Sequence, residues 1–209
     1  MENHKERWLN LWSALGARGD AQIPFDDLSA RYSEPWRVYH TLTHIVECLN
    51  EFDQIRQLAA DPNAVELALW YHDAYYNTTY KENEEKSAEL FQQIAEYGNL
   101  NDSLIRKVFR MILETRHTIQ PIDPDSQLVV DIDLSVLGWS KDRFDEYERQ
   151  IRVEYAWVPQ DMFASVRSEI LASFLGRQHM YATQFFREKY EAQARRNIAR
   201  SLAQLLCRS

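Results

Sequence analysis

Two short segments carry histidines and a carboxylate in positions from which these side chains could act together. His40 and His44 are four positions apart in YHTLTH, and His72 and Asp73 are adjacent in LALWYHDAYY. Residues four apart are neighbours on a helix surface, with about 5–6 Å between their Cβ atoms. We therefore expect His40 and His44 to share one helix face, where they could act on one metal ion or one substrate or be a coincidence of two polar side chains.

A third polar signal, Asp131 and Asp133, lies in the apolar run LVVDIDLSVLG. Imidazoles and carboxylates are costly inside apolar runs unless they are paired or bound to a metal. Each signal alone has an ordinary explanation, because core histidines are commonly hydrogen-bonded and Asp131 could cap a helix. Taken together they favour a shared site, since four of the six histidines lie near the ends of apolar segments: His40, His44, His72 and His117.

The residue types in this set indicate the class of metal. Imidazole and carboxylate without thiolate are ligands for a divalent ion such as Mn, Mg, Fe, Co or Ni. The two cysteines, Cys48 and Cys207, are far apart and form no CxxC motif. We interpret them as reduced thiols of an intracellular protein.

Composition narrows the class of protein and of partner. The chain has 209 residues, 45% hydrophobic and 12% aromatic, which predicts a globular fold with a sizeable core. A net charge of −8 argues against polynucleotide binding, so we expect a small-molecule partner. The sequence contains neither a secretory signal nor an apolar run of the roughly 18 residues that cross a bilayer. We therefore expect no membrane partner and a cytoplasmic location, and a homo-oligomer stays open.

The elements that must position these residues are predicted to be helices. Glycine and proline are scarce, with 5 and 6 residues, and apolar residues recur at steps of three and four along most of the chain. Pro159 and Gly176 stand where helices should stop. The expected helical segments are 8–15, 42–58, 64–75, 84–97, 104–114, 126–137, 144–158, 163–174 and 181–205. Of these, 126–137 is rich in Val and Ile and could be a short strand, although its length and its Leu-Ser-Val-Leu ending favour a buried helix.

No segment has the composition of a flexible linker, and NTTYKENEEK (77–86) is expected to form a loop that runs into a helix. The simplest prediction is one all-α domain over residues 1–209. Its metal core would span about 36–138, and the C-terminal helices of about 140–207 would pack on that core. A separate C-terminal bundle from about residue 140 onward is the alternative.

The order His, His-Asp, Asp, spread over helices, resembles the HD superfamily of metal-dependent phosphohydrolases. YHTLTH resembles the Tyr-His-Asn-x-x-His segment of cyclic-nucleotide phosphodiesterases, and DLS at 133–135 resembles their Asp-Leu-Ser. The combination YHTLTHI, WYHDAYY, NEEKSA and DIDLSVLG is closer still to a bacterial branch of predicted HD hydrolases. The resemblance covers roughly residues 36–138, and the segment YATQFFREKYEAQARRNI resembles the family more weakly. It implies an all-α bundle of HD type.

The resemblance implies a role for each matching residue. His44, His72, Asp73 and Asp133 match the four metal ligands of the superfamily. His40 matches the residue that protonates the leaving oxygen in the phosphodiesterases. Asp73, or Asp133, would also accept a proton from the attacking water.

The identity of the fourth ligand stays open, and one position departs from the family pattern. Asp131 competes with Asp133 for the fourth ligand position, and the Leu-Ser that follows Asp133 favours the latter. Tyr76 occupies the position at which the phosphodiesterases have another histidine and several nucleotidases have a glutamate. Glu84 and His117 are possible replacements as second-metal or auxiliary residues, although Glu84 could equally be a solvated residue of a charged run.

The predicted function is metal-dependent hydrolysis of a small phosphorylated substrate, such as a nucleotide. Lys81 and Arg116 flank the motifs, and we expect them to contact phosphate. Two alternatives belong to other classes. One is an HD-type di-iron oxygenase, which needs more histidine ligands, and the other is a non-catalytic sensor or scaffold with the same fold.

Overall fold

The computed structural model describes residues 4–206, and every regular element among them is helical. The predicted all-α class is therefore confirmed. Eleven α-helical segments follow one another along the chain: α1 (His4–Ala14), α2 (Gln22–Arg31), α3 (Leu42–Ile55), α4 (Pro62–Tyr71), α5 (Asn83–Tyr97), α6 (Asp102–Glu114), α7 (Pro124–Asp133), α8 (Lys141–Glu154), α9 (Gln160–Leu175), α10 (Gln184–Phe186) and α11 (Ala192–Leu206). Short 3₁₀ turns follow α3 and α7, at Arg56–Leu58 and Leu134–Gly138.

The chain divides into two compact units, and the boundary falls at the end of α7. The first unit runs up to Ile132, and the second begins at Asp133. Asp133 is the last residue of α7, so the helix that carries it belongs otherwise to the first unit. The single-domain prediction for residues 1–209 is not decided by this division and stays a prediction.

Helix α4 is the centre of the first unit. Its residues from Ala64 to Tyr71 are all buried, and the helix packs against α3, α5 and α6. The Asp61 side chain caps its start by accepting a hydrogen bond from the Ala64 N–H at 3.1 Å, and Pro62 occupies the first turn. The helix ends at Tyr71, so the buried His72 and the adjacent Asp73 lie directly after its last turn.

The start of α3 corrects the prediction for His40 and His44. Thr41 has an extended backbone (φ −107°, ψ 177°), and the helix begins only at Leu42. His44 lies in the first turn of α3, whereas His40 lies in the preceding turn. The two histidines therefore do not share a helix face, because the extended residue between them changes the direction of the chain.

The second unit contains α8, α9 and α11. The buried Asn197 of α11 donates two hydrogen bonds of 2.9 Å, to the carbonyls of Leu137 and Trp139. Pro159 and Gly176 flank α9 as predicted. The predicted segment 181–205 is interrupted by a π-helical turn at Arg187–Glu191, where a side chain at Gly138 would overlap Tyr190.

Two further features complete the description. Helix α2 was not among the predicted segments. The loop predicted within 77–86 is present, and α5 begins at Asn83. Among the residues that the structure describes, no helix combines the length and the apolar character that crossing a bilayer requires.

Candidate metal centre

Helix α3 places two side chains at the centre. His44 and Cys48 are one helical turn apart, on the same side of α3, and both are buried. The Cys48 Sγ lies 3.8 Å from the Nδ1 and 3.7 Å from the Nε2 of His44. The thiol therefore belongs to the same polar group as the imidazole, which the sequence prediction did not include.

The end of α4 fixes His72 and its tautomer. The backbone N–H of His72 still donates to the Ala68 carbonyl at 2.9 Å, so the residue is held as the last turn closes. Its Nδ1 lies 3.0 Å from the Leu69 carbonyl oxygen. A carbonyl can only accept a hydrogen bond, so Nδ1 carries a proton, and Nε2 is the atom that presents a lone pair when the ring is neutral.

Three predicted ligand atoms converge in front of this lone pair. The Nε2 atoms of His44 and His72 are 3.1 Å apart. The Oδ2 of Asp73 lies 3.5 Å from the His44 Nε2 and 3.2 Å from the His72 Nε2. Three residues drawn from α3 and the end of α4 thus direct their ligand atoms at one point.

The fourth predicted ligand comes from the end of α7. Asp133 forms a group with His44, Cys48 and His72 in which one ligand atom from each residue lies within 4.8 Å of all the others. The group contains Asp133 and not the fully buried Asp131. Residues two apart on a helix point about 200° from each other, so only one of these two aspartates can face the histidines.

The electrostatics of the centre favour the ionised form of Asp73. Burial alone would raise the pKa of this carboxyl group, but positive charge on the His72 and His40 imidazoles lowers it, and hydrogen bonds that His44 and His72 donate when their Nε2 carries a proton add to this effect. The net result is a pKa well below the ordinary value for aspartate. A carboxylate that stays charged at neutral pH is the form that binds a cation.

His40 lies beside the centre rather than within it. Its ring stacks on Tyr76, with 3.9 Å between the ring centroids, and its centroid is 6.0 Å from that of His44. Tyr76 therefore does not simply replace the histidine or glutamate that related motifs place there. It forms the surface against which His40 packs.

A buried arginine, which the sequence prediction did not include, joins the two segments that carry the centre. The guanidinium group of Arg37 donates to the carbonyl oxygens of His40, Asp73 and Ala74 at 3.1, 2.7 and 3.0 Å. It also donates to the Glu34 carboxylate at 2.8 Å. Arg37 therefore holds the turn before α3 against the turn after α4.

Glu84 and His117, the predicted auxiliary residues, interact electrostatically with groups near the metal ligands. Glu84 lies in the first turn of α5, and burial raises the pKa of its carboxyl group. The negative charge of Asp73 raises this pKa further, whereas Arg116 and His117 lower it, so these groups interact electrostatically. The structure gives Glu84 no contact with the three converging ligand atoms.

The two predicted phosphate contacts differ from each other. Arg116 forms ion pairs with Glu84, at 3.7 Å, and with Glu85. Lys81 is exposed in the segment before α5 and forms no ion pair within residues 4–206. Of the two cations, Lys81 is therefore the one whose charge is not already neutralised by a neighbouring carboxylate.

The spacing of the ligand atoms fits a shared divalent ion. Ligand atoms bound at about 2.0–2.1 Å in a tetrahedral arrangement lie roughly 3.3–3.4 Å apart. The three separations among the His44, His72 and Asp73 atoms are 3.1, 3.2 and 3.5 Å. The buried group can therefore bind a metal ion, and its donor set includes a thiol as well as the predicted imidazoles and carboxylates.

Comparison with known proteins gave no relative. No family model, no curated protein and no solved structure matches the chain. The likeness to the HD superfamily therefore depends on the residues of the motifs and on the buried cluster that they form.

Proposed function

We propose that this chain is a metal-dependent hydrolase that cleaves a phosphoester bond in a small substrate. The observation that carries the proposal is the convergence of the His44 Nε2, His72 Nε2 and Asp73 Oδ2 within 3.1–3.5 Å of one another. Asp133 forms a group with His44, Cys48 and His72, in which one ligand atom from each residue lies within 4.8 Å of the others. The three converging residues and Asp133, in this order along the chain, are the four that the HD resemblance assigns to the metal.

The protein's part in binding the ion is to present these groups in the required protonation states. His72 keeps its proton on Nδ1 through the Leu69 carbonyl, which leaves Nε2 available. Asp73 stays ionised because of the imidazoles around it. When bound, a divalent ion would polarise a phosphoryl oxygen and lower the pKa of a water molecule.

His40 is proposed as the proton donor to the leaving oxygen. An imidazole suits this role because its unperturbed pKa of about 6.5 is close to neutral pH. The stacking of His40 on Tyr76 and the hydrogen bond from Arg37 to its carbonyl fix the ring beside the ligands. Lys81 is the proposed contact for a substrate phosphate, since its charge is exposed.

The test is an assay of the protein, prepared with a defined metal content, against a set of phosphoesters. The protein is stripped with a chelator and reloaded with Mn, Mg, Fe, Co, Ni or Zn, each measured by elemental analysis. Each form is then assayed against phosphomonoesters, phosphodiesters and nucleotides. The proposal predicts turnover that returns with the metal and is absent from reloaded His44→Ala protein, with His179→Ala, in the exposed turn before α10, as the active control.

Two results would contradict this function. Stoichiometric metal with no turnover of any phosphoester would point to a metal-binding sensor or scaffold. Two irons per chain, with an iron–oxygen absorption band, would point to the oxygenase class.

A further inference from the structure

Trp36 is a large aromatic residue that stays exposed close to His40, and the proposed chemistry does not use it. The six tryptophans of the chain all lie within residues 4–206, and among them only Trp36 and Trp157 are exposed, by 55% and 58%. The Nε1–H of Trp36 donates to the carbonyl oxygen of Tyr76 at 3.3 Å. The ring of Tyr76 in turn stacks on His40, with 3.9 Å between the centroids. Trp36 is therefore bound to the residue that supports the proposed proton donor.

The backbone that carries Trp36 is fixed on both sides. Pro35 and Trp36 are the central residues of a turn, which the Arg37 N–H closes by donating to the Glu34 carbonyl at 3.0 Å. Proline restricts its own φ, and the buried Arg37 is held by its guanidinium group, which donates to the Asp73 carbonyl at 2.7 Å. A ligand that binds the Trp36 ring therefore pays little for ordering it.

The exposed part of Trp36 suits one kind of ligand group. Its indole N–H is already bonded, so what it offers to a ligand is a flat apolar face. Planar rings stack on such a face with a gain of about 5–150-fold in affinity per ring. Lys81, the proposed phosphate contact, lies in the segment that directly follows Tyr76. A small molecule with both a planar ring and a phosphate group therefore matches these two exposed side chains.

We propose that Trp36 selects the substrate by stacking on a planar ring that the substrate carries in addition to its phosphate group. This inference rests on the proposed function and narrows its substrate class to phosphoesters with such a ring. A nucleobase and a flavin-type ring share this chemistry. A purely superficial role must be separated from it, because single exposed apolar residues are normal on protein surfaces.

The test is equilibrium dialysis of the chelator-treated full chain with adenosine 5′-monophosphate, flavin mononucleotide and ribose 5-phosphate. Ribose 5-phosphate has the sugar phosphate of the first ligand without its ring, so the difference in affinity between these two isolates the contribution of the ring. We expect at least one ring-bearing ligand to bind more tightly than ribose 5-phosphate. Preference for adenosine 5′-monophosphate would support stacking on a nucleobase, and preference for flavin mononucleotide would support stacking on a flavin-type ring.

Three variants of the full chain show whether Trp36 is responsible. Trp36→Leu keeps an apolar side chain without a ring, and we expect it to bind the preferred ring-bearing ligand about 5–150-fold more weakly, with ribose 5-phosphate unchanged. Trp36→Phe keeps a ring and should lose much less. Trp157→Leu, at the other exposed tryptophan, is the matched control and should bind like wild type. Equal wild-type affinities for the three ligands, or equal losses for ring-bearing and ring-free ligands in Trp36→Leu, would overturn the proposal.

Turnover by the metal-loaded protein separates this inference from the proposed function. Ring-dependent binding that is lost in Trp36→Leu, without turnover of any phosphoester, would contradict the hydrolase and leave the stacking role of Trp36 intact. Turnover with the same KM for ring-bearing and ring-free esters, unchanged in Trp36→Leu, would support the hydrolase and overturn the role of Trp36.

Discussion

The two units of this protein each bury a cluster of polar side chains, and the clusters differ in how their charges are matched. In the second unit, the Arg167 guanidinium group donates to the Tyr147 hydroxyl at 2.8 Å and to the Glu148 carboxylate. Ser201 donates to the other carboxylate oxygen of Glu148 at 2.8 Å. Donors meet acceptors and positive charge meets negative charge, so this cluster is complete with protein atoms alone.

The cluster of the first unit brings together groups of the same kind. In its neutral form, His72 presents a lone pair at Nε2. The Nε2 of His44 lies 3.1 Å from this atom, and the Oδ2 of Asp73 lies 3.2 Å from it and 3.5 Å from the His44 Nε2. When neither Nε2 carries a proton, all three atoms are acceptors, and they are stable at this distance only with a cation between them. Buried polar groups therefore indicate a structural role when they complement each other, and a binding site when they require an additional positive charge.

Removal of an imidazole from the first cluster has the largest expected effect. His72→Ala should lose the metal completely, because the ring supplies a ligand atom that no neighbouring side chain replaces, while the helices remain folded. Elemental analysis of the purified variant, together with circular dichroism, measures both quantities. His179→Ala, at an exposed position outside the cluster, is the matched control. Normal metal content in His72→Ala would rule out the assignment.

A change at His40 should separate proton transfer from metal binding. We expect His40→Ala to keep its metal and to lose about 10²–10⁴-fold in turnover of an alkyl phosphoester, whose leaving oxygen needs a proton. A p-nitrophenyl ester, whose leaving group needs none, should lose much less. Steady-state rates with both substrates give this ratio. Equal losses for the two esters would show that His40 acts only on structure, and loss of metal would make it a ligand.

A change in the second cluster should affect stability without affecting the metal. Arg167→Met removes the charge that Glu148 is paired with, at a position where both side chains are largely buried. We expect the free energy of unfolding to fall by about 2–4 kcal/mol. Urea denaturation measures this loss, and elemental analysis of the folded variant should still give the wild-type metal content. Metal loss from folded Arg167→Met would contradict the distinction between the two clusters.

The first unit also contains a polar cluster around Asp125 in which protein groups satisfy every charge. A substitution there should give the smallest of the expected changes, a loss of folding stability. This buried carboxylate accepts hydrogen bonds from the backbone of Ala60 and Asp61 at 2.7 and 2.9 Å and from Lys107 at 2.6 Å. Burial opposes ionisation, but these donors prevail and hold the pKa of Asp125 below its ordinary value.

Because the folded state lowers this pKa, the stabilisation is complete above the unfolded value of about 3.9 and is lost as the pH falls through the folded value. Asp125→Asn should therefore cost about 2–3 kcal/mol at pH 7. The difference from wild type should narrow in acid below about pH 4. Urea denaturation at both pH values measures it, and a difference that grows in acid would show that the carboxylate is not the stabilising group.

The sequence contains enough information for the helices and for part of the centre. Apolar periodicity predicts most of the helices because each buries one face, and Pro159 and Gly176 mark the ends of α9. His44, His72 and the pair Asp131 and Asp133 stand out because polar groups inside apolar runs need a partner, and the choice of Asp133 came from the resemblance of the Leu-Ser that follows it. Helix α2 and the π-helical turn of the last segment were missed, and the close approach of Gly138 and Tyr190 at that turn joins residues that are distant in the sequence.

Other parts of the centre depend on contacts that a sequence pattern does not contain. Cys48 has a local signal, four residues after His44, but it was interpreted as an isolated reduced thiol. Cys207 lies outside the described residues. Arg37 could not be found, because the carbonyls of Asp73 and Ala74 that it binds are 36 and 37 positions away. The extended backbone at Thr41, which removes His40 from the helix, has no signature in the periodicity.

The central claim is that one metal ion is bound between α3, the end of α4 and the end of α7. Anomalous diffraction from crystals of the purified protein, measured at the absorption edge of the metal found by elemental analysis, tests it most directly. We predict one strong peak within about 2–2.5 Å of ligand atoms from His44, His72, Asp73 and Asp133. A fully occupied metal elsewhere, with these four side chains bound to no common ion, would contradict the account.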